Sequence, residues 1–260
     1  MLTARRALVT GSSRGIGAAI ARALAGSGHR VAVHCRADPT AAAAVAAALP
    51  AAAALPGGGH AVVTGDIADP RQAGDMVAAA VAALGGIDVL VNNAGVYAHQ
   101  PIESTSYADW QASWRHIVDT NVHGPANVTW CVTDHLLHRP EGPDGARIIN
   151  VGSRGAYRGE PTAPAYGAAK AALHAMAQSL AVALAPHGIA VAAVAPGFAR
   201  TEMAESVLSG PGGDAIRAQS PFGRVAEPEE VAAAVAWLAS PLAMWASGAV
   251  IDLNGASYLR

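Results

Sequence analysis

Short apolar runs recur along the chain, bounded by glycine, asparagine or aspartate: residues 7–11 (ALVTG), 31–35 (VAVHC), 61–66 (AVVTGD), 87–95 (IDVLVNNAG), 147–153 (RIINVGS), 189–197 (IAVAAVAPG) and 248–255 (GAVIDLNG). Apolar residues in these runs are mostly continuous rather than alternating, the pattern of strands buried on both faces. Between them lie longer stretches with helical spacing, at 16–25, 72–84, 110–137, 168–184 and 228–239. The last begins with Pro228 and carries Glu229 and Glu230 in its first turn, where the helix dipole favours negative charge. An alanine-rich run at 41–55, interrupted by Pro50 and followed by Pro56, Gly57, Gly58 and Gly59, predicts a helix, a break and a flexible turn. Strand and helix alternate from end to end. This α/β pattern predicts a doubly wound parallel sheet of about seven strands with helices on both faces.

Composition narrows the class. A chain of 260 residues with 52% hydrophobic and 14% charged residues can bury a substantial core, and no linker divides it, so residues 1–260 are expected to form one domain. A net charge of −2 with scattered arginines offers no basic stripe for a phosphate backbone, which argues against nucleic acid and for small-molecule partners. Cys35 and Cys131 are too few and too far apart for a disulfide framework or a zinc site, and no clustered metal-ligand set is seen. The start of the chain has no cleavable signal and no apolar stretch near the length of a membrane span. A cytoplasmic protein without membrane attachment is expected.

The candidate chemistry starts at the first strand-to-helix turn, TGSSRGIG, from Thr10 to Gly17. Its glycines at 11, 15 and 17 let the backbone approach a pyrophosphate that the next helix start could hold. Asp66, NNAG at 92–95, Asn121, Ser153, YGAAK at 166–170 and PGFART at 196–201 follow in order. The chain thereby resembles the short-chain dehydrogenase/reductase family over nearly its whole length, and among its members the beta-ketoacyl carrier-protein reductases in particular. The resemblance implies a Rossmann fold and a nicotinamide cofactor. It implies cofactor contacts from Gly11, Ser13, Arg14, Gly15, Ile16 and Gly17 in the first turn, and from Asp66 and Ile67 near the adenine. Asn93, Ala94 and Gly95 would support the adenine side, and Pro196, Gly197, Ala199 and Thr201 would hold the carboxamide. Asp66 also reads as an ordinary strand-end cap.

At the end of the second strand, Cys35 stands where NAD-using members commonly carry aspartate, with Arg36 beside it. Arg36 and Arg14 could both bond a 2′-phosphate, so NADP(H) is the expected cofactor and NAD the second choice. Asp38 lies close by and speaks the other way.

Lys170 is the one lysine among 17 basic residues. Tyr166 lies four positions before it, so the two share a helix face. A free phenol titrates near pH ~10, and a neighbouring ammonium is expected to lower that value and make Tyr166 a usable acid or base. Arginine would keep the charge but not the compact shape. The family pattern adds that Lys170 also bonds the nicotinamide ribose, that Ser153 bonds the substrate oxygen, and that Asn121 anchors a water connecting Lys170 to solvent. Asn121, Ser153, Tyr166 and Lys170 are thus the expected catalytic set, for hydride transfer between the nicotinamide and a carbonyl or secondary alcohol.

Substrate choice is expected to lie with residues 154–164, with Val96 and Tyr97, and with 198–222, whose SGPGGD segment (209–214) could serve as a mobile lid. Glu160 reads as an exposed loop residue. A carrier protein would want basic residues at the active-site mouth; the helix after Lys170 has none, and Arg139 and Arg158 could compensate. A ketoacyl thioester is therefore one candidate substrate among small carbonyl compounds. A dinucleotide-binding sensor without turnover is the alternative class, and the intact proton-relay set argues against it. The family is commonly tetrameric, which implies a homotetramer or dimer here. One departure stands out: DLNGAS places Ala256 where relatives often have a second glycine.

Overall fold

The computed structural model describes residues 5–52 and 59–260. Seven strands form one sheet: β1 (Arg6–Val9), β2 (Arg30–Cys35), β3 (Ala61–Thr64), β4 (Val89–Asn92), β5 (Arg147–Val151), β6 (Ala190–Pro196) and β7 (Val250–Leu253). All pair in parallel, in the order β3-β2-β1-β4-β5-β6-β7. The sheet winds outward in both directions from β1 and β4, leaving a crevice at their C-terminal ends where open α/β sheets hold ligands.

Among the described residues, ten α-helices accompany the strands: α1 (Gly15–Gly26), α2 (Pro39–Ala48), α3 (Pro70–Leu84), α4 (Tyr107–Val118), α5 (Gly124–His138), α6 (Gly155–Arg158), α7 (Pro164–Leu184), α8 (Glu202–Leu208), α9 (Gly213–Arg217) and α10 (Pro228–Ala239). The two faces explain the unbroken apolar runs. Ala7 and Val9 of β1 pack with α1 and α10, while Leu8 between them packs with α3, α5 and α7. Each fully buried leucine or isoleucine, such as Leu8 or Ile20, contributes roughly 1.5–3 kcal/mol.

Strands end earlier than the apolar runs suggest, because the closing glycines, aspartates and asparagines turn into the crevice. Helices start where side chains satisfy free N–H groups. Asp69 accepts from the backbone N–H groups of Arg71 and Gln72 ahead of α3, and Glu227 and Glu230 form a reciprocal capping box ahead of α10. The expected helix at 41–55 is α2, ending at Ala48, and the turn at Gly57 and Gly58 lies outside the described residues. The helix expected from 168 begins one turn earlier, because Pro164 sits in the first turn, where its missing N–H costs nothing. Tyr166 therefore stands in that first turn. By length and apolarity alone, the stretch Pro164–His187 could span a bilayer; here Leu173, Ala177, Ala181 and Leu184 are buried within the fold.

The single helix expected over 110–137 is divided. Residues Asp119–His123 form a π-turn between α4 and α5, closed by Gly124 N–H donating to the Asp119 carbonyl. Pro125 has no N–H to give the Asn121 carbonyl, so the regular ladder cannot continue through it. Among the described non-glycine residues, Ala256 alone has a positive φ, of 58°, a left-handed conformation that costs an alanine roughly 1–2 kcal/mol. Glycine at this position would remove that strain.

Candidate active site

A cavity of ≈ 620 Å³ lies at the C-terminal ends of the central strands. Its floor is the turn after β1. A Cβ on Gly17 would sit 2.3 Å from the Gly11 carbonyl oxygen and 2.5 Å from Asn93 Nδ2, and Gly11 has φ 62°, so neither accepts a side chain without rearrangement. The Thr10 hydroxyl accepts from the Asn93 and Ala94 N–H groups, while Asn93 Nδ2 donates to the Thr10 and Gly11 carbonyls. Turn and NNAG segment are thus one rigid unit. Helix α1 starts without a side-chain cap or an acidic residue in its first turn, which leaves its N-terminal donors suited to an anion. A pyrophosphate fits this cradle, and the glycine-turn residues could hold it.

Of the residues expected at the site, all but Asn121 and Ala199 line this cavity. Ala199 is buried and bridges to Ala226 instead. Asn121 is 1% exposed; its Oδ1 accepts from Val96 N–H at 2.8 Å and its Nδ2 donates to the Val96 carbonyl at 2.8 Å. The side chain therefore fixes the segment after β4. It still touches the cavity's edge through Gly95, whose Cβ would lie 3.2 Å from Asn121 Oδ1 and 3.4 Å from Lys170 Nζ.

Asp66 lines the cavity and also caps its own turn, accepting from Ala68 N–H at 3.0 Å. Asp38 is occupied: its carboxylate accepts from Thr40 N–H at 2.9 Å and caps α2. Arg36 is exposed on the cavity rim, and Arg14 reaches Glu202 at 3.7 Å with 73% of its side chain in solvent. Both arginines stand exposed where an anion in the cavity can meet them.

On the opposite wall stand Ser153, Tyr166 and Lys170. The Ser153 Oγ accepts from Gly155 N–H at 3.0 Å, on the same wall as Tyr166. The Tyr166 ring packs edge-on against Tyr97, with centroids 5.3 Å apart. Lys170 Nζ donates to the Val151 carbonyl at 2.9 Å and lies 5.7 Å from the centre of the Tyr166 ring. The expectation that Lys170 lowers the tyrosine is not met. Burial pushes Tyr166 up to about 12, with the nearby Ser153 hydroxyl acting the other way, and burial lowers Lys170 to about 8. The ammonium is directed at a carbonyl rather than at the phenol.

Two further expectations are corrected. Glu160 is half-buried, pressed on Gly155 and Gly167, and burial raises its carboxyl. Arg139 is unavailable to a carrier protein: its guanidinium donates to the Ile87 carbonyl and to Asp88 at 2.8 and 2.7 Å. Arg154, in the segment expected to bear on substrate choice, is 4% exposed. The sequence reading also passed over His34. Its Nδ1 accepts from Gly11 N–H at 2.9 Å and its Nε2 donates to the Gly65 carbonyl at 2.9 Å, tying the glycine turn to the end of β3. A polar residue inside the otherwise apolar VAVHC run was its signal.

His174, one turn after Lys170, is 3% exposed with both ring nitrogens unpartnered, and its Nε2 abuts Gly152. Burial, and then the charge of Lys170, lowers it from 6.5 to about 4. Above 6.5 the ring is neutral in both folded and unfolded chains. As pH falls from 6.5 toward 4, only the unfolded chain takes up the proton, so stability is lost, by about 3 kcal/mol at most. His174→Leu removes this titration. Denaturant melts at pH 7 and pH 4.5 are expected to show a smaller acid loss in the variant than in the wild type; equal losses would refute the assignment.

Residues 11–255 match the enoyl-(acyl carrier protein) reductase family. The chain is 39% identical to an uncharacterized oxidoreductase of Methylorubrum extorquens, with 98% of each chain covered. It is 37% identical to the 3-oxoacyl-[acyl-carrier-protein] reductase of a Synechocystis species, covering 98% of this chain and 97% of that one. It belongs to the short-chain dehydrogenase/reductase family. The fold agrees: a short-chain dehydrogenase from Burkholderia cenocepacia, solved in complex with NADP, superposes with a TM-score of 0.84 at 32% identity, with 98% of each chain covered. A 3-ketoacyl-(acyl-carrier-protein) reductase from Brucella melitensis, solved with NADH, gives 0.84 at 30% identity, covering 97% of this chain and 98% of that one. This short-chain dehydrogenase/reductase is an oxidoreductase, and its resemblance to beta-ketoacyl reductases spans the sequence.

Proposed function

We propose that this enzyme is an NADP(H)-dependent reductase of a small carbonyl compound, with Tyr166 as its general acid and base. One observation carries the reading: Ser153, Tyr166 and Lys170 converge on the wall of a cavity whose opposite side is a glycine turn shaped for a dinucleotide. When bound, the cofactor supplies or accepts the hydride. Ser153 bonds the substrate oxygen, and the Tyr166 hydroxyl gives that oxygen a proton. Lys170 places positive charge beside the phenol and offers ammonium protons to a ribose. Asn121 holds the segment after β4 against Lys170. Thr201, packed at 3.4 Å from a Cβ position on Gly15, together with Pro196 and Gly197, would fix the carboxamide end. The chain serves both binding and chemistry as one domain, and its unpaired Cys35 and Cys131 suit a reducing cytoplasm.

Choice of NADP(H) rests on charge. Arg14 and Arg36 stand on the rim, Cys35 brings no carboxylate to the end of β2, and Asp38 is spent on its helix cap. The Michaelis constant for NADPH is expected to be at least about ten-fold below that for NADH, as one charge-assisted contact provides. The Arg14→Ala, Arg36→Ala double variant is expected to erase the difference. Following the reduced-nicotinamide absorbance with ketones, ketosugars and beta-keto thioesters tests both cofactor and substrate, and a clear NADH preference would overturn the assignment. A beta-ketoacyl thioester is one candidate, since relatives carry that name; Arg139, locked to Asp88, gives no support to carrier-protein docking.

A homotetramer is the proposed assembly. Trp130 on α5, Val182 on α7, and Trp245 and Leu259 near β7 are 69%, 79%, 98% and 79% exposed, large apolar side chains that subunit contacts would cover. Sedimentation showing only monomer at micromolar concentration would reject it.

A further inference from the structure

A second cavity, of ≈ 340 Å³, opens behind the active-site wall, between the ends of β6 and β7 and helices α9 and α10. The two cavities share that wall through consecutive residues: Ser153 and Gly197 line the first, Arg154 and Phe198 the second. The size suits a small organic molecule. Ile216, Val225, Val231 and Leu253 make much of its lining apolar.

Its charged residues are accounted for with one exception. Arg224 donates to both carboxylate oxygens of Glu230, at 2.6 and 2.7 Å, and Arg260 donates to Asp252 at 2.9 Å. Arg154 is 4% exposed and forms no ion pair among the described residues. The Glu160 carboxylate presses on Gly155 and reaches Arg154 only as a charge at longer range, without an ion pair. Arg154 is held in place: its backbone N–H donates to the Pro196 carbonyl, its Nη1 donates to Ser257 Oγ at 2.6 Å, and its guanidinium carbon lies 5.5 Å from the centre of the Phe198 ring. Ser257 Oγ itself donates to the Asn254 carbonyl, so its proton is spent. The Nε and Nη2 edge of the guanidinium is left without a partner among the described residues.

A buried cation without a counter-ion is costly, and an anion that enters the cavity removes that cost. A free guanidinium edge matches the two oxygens of a carboxylate, and the apolar walls suit an uncharged body. We propose that this cavity binds a small organic carboxylate, its two oxygens on the Nε/Nη2 edge of Arg154 and its apolar body against Phe198, Ile216 and Val231. The site stands apart from the hydride-transfer reading and does not depend on it.

Calorimetric titration of the full chain with benzoate and with its neutral isostere benzamide, at matched ionic strength and without cofactor, tests the site independently of turnover. Benzoate is expected to bind about ten-fold or more tightly than benzamide. Arg154→Gln is expected to abolish that preference, and Ile216→Trp, which narrows the cavity without touching the charge, to weaken both ligands. No benzoate binding, equal binding of the two ligands, a preference that survives Arg154→Gln, or unchanged benzoate affinity in Ile216→Trp would each overturn the proposal. If Arg154→Gln does not fold, the ligand pair and Ile216→Trp decide alone. Where benzoate binds as expected, inhibition kinetics identify the source of the carboxylate. Competition with a ketone substrate assigns it to the substrate's own tail, and a noncompetitive pattern to a separate ligand; both patterns support the site.

Discussion

Tyr166→Phe is expected to lower turnover roughly 10²- to 10⁴-fold, the range a positioned proton donor supplies, while leaving cofactor affinity within a few-fold. The ring of the variant keeps its edge-on packing against Tyr97 and loses only the hydroxyl. Steady-state absorbance gives the rate, and cofactor fluorescence titration gives the affinity. A variant retaining more than about a tenth of the wild-type rate would remove Tyr166 from the chemistry. The direction of the pKa bears on the direction of the reaction. With the phenol held up near 12 by burial, Tyr166 is protonated at neutral pH and ready to donate, as carbonyl reduction requires. Alcohol oxidation needs the phenolate, so its rate is expected to rise with pH across the neutral range more steeply than that of reduction.

Lys170→Arg is expected to cost about 10²-fold or more in turnover, although it conserves charge. Nζ occupies a tight position: it is buried, donates to the Val151 carbonyl, and sits within contact distance of any side-chain atom placed on Gly95, next to the Asn121 amide. A planar guanidinium reaches past that carbonyl and displaces the Val96 segment that Asn121 secures. The discriminating comparison is with Lys170→Met, which keeps the length and removes the charge. If shape as well as charge matters, both variants fall together with melting temperatures near the wild type. An arginine variant as active as the wild type would show that charge alone is sufficient.

How much of this was legible in the chain depends on the kind of interaction. The strands were readable because both faces are buried, so β1 and β6 appear as unbroken apolar runs. The motif residues were readable because backbone geometry demands glycine at 11 and 17, whatever surrounds them. Long-range pairings were not. Arg139 and Asp88 are 51 residues apart, and nothing local marks the arginine as occupied. Nothing local marks Arg154 as buried either; its partners Pro196 and Ser257 lie on β6 and in the C-terminal segment. The π-turn was missed because Trp110 to Leu137 has good helical spacing throughout; Pro125 was the local warning. The acidity of Tyr166 was misjudged for a related reason. Spacing put an ammonium nearby, but burial and the orientation of Nζ toward Val151 are properties of the packed protein.

A chain with a single lysine is a convenient object for chemistry that seeks amines. Reductive methylation with isotopically labelled formaldehyde would place one side-chain reporter in the protein, at Lys170, and its resonance would follow that ammonium through titration and cofactor binding without any mutation. A lysine-specific endoproteinase likewise has one bond to cut, after a buried residue in the first half of α7. Cleavage requires that helix to open, so the rate of a single cut measures how often the catalytic wall comes apart.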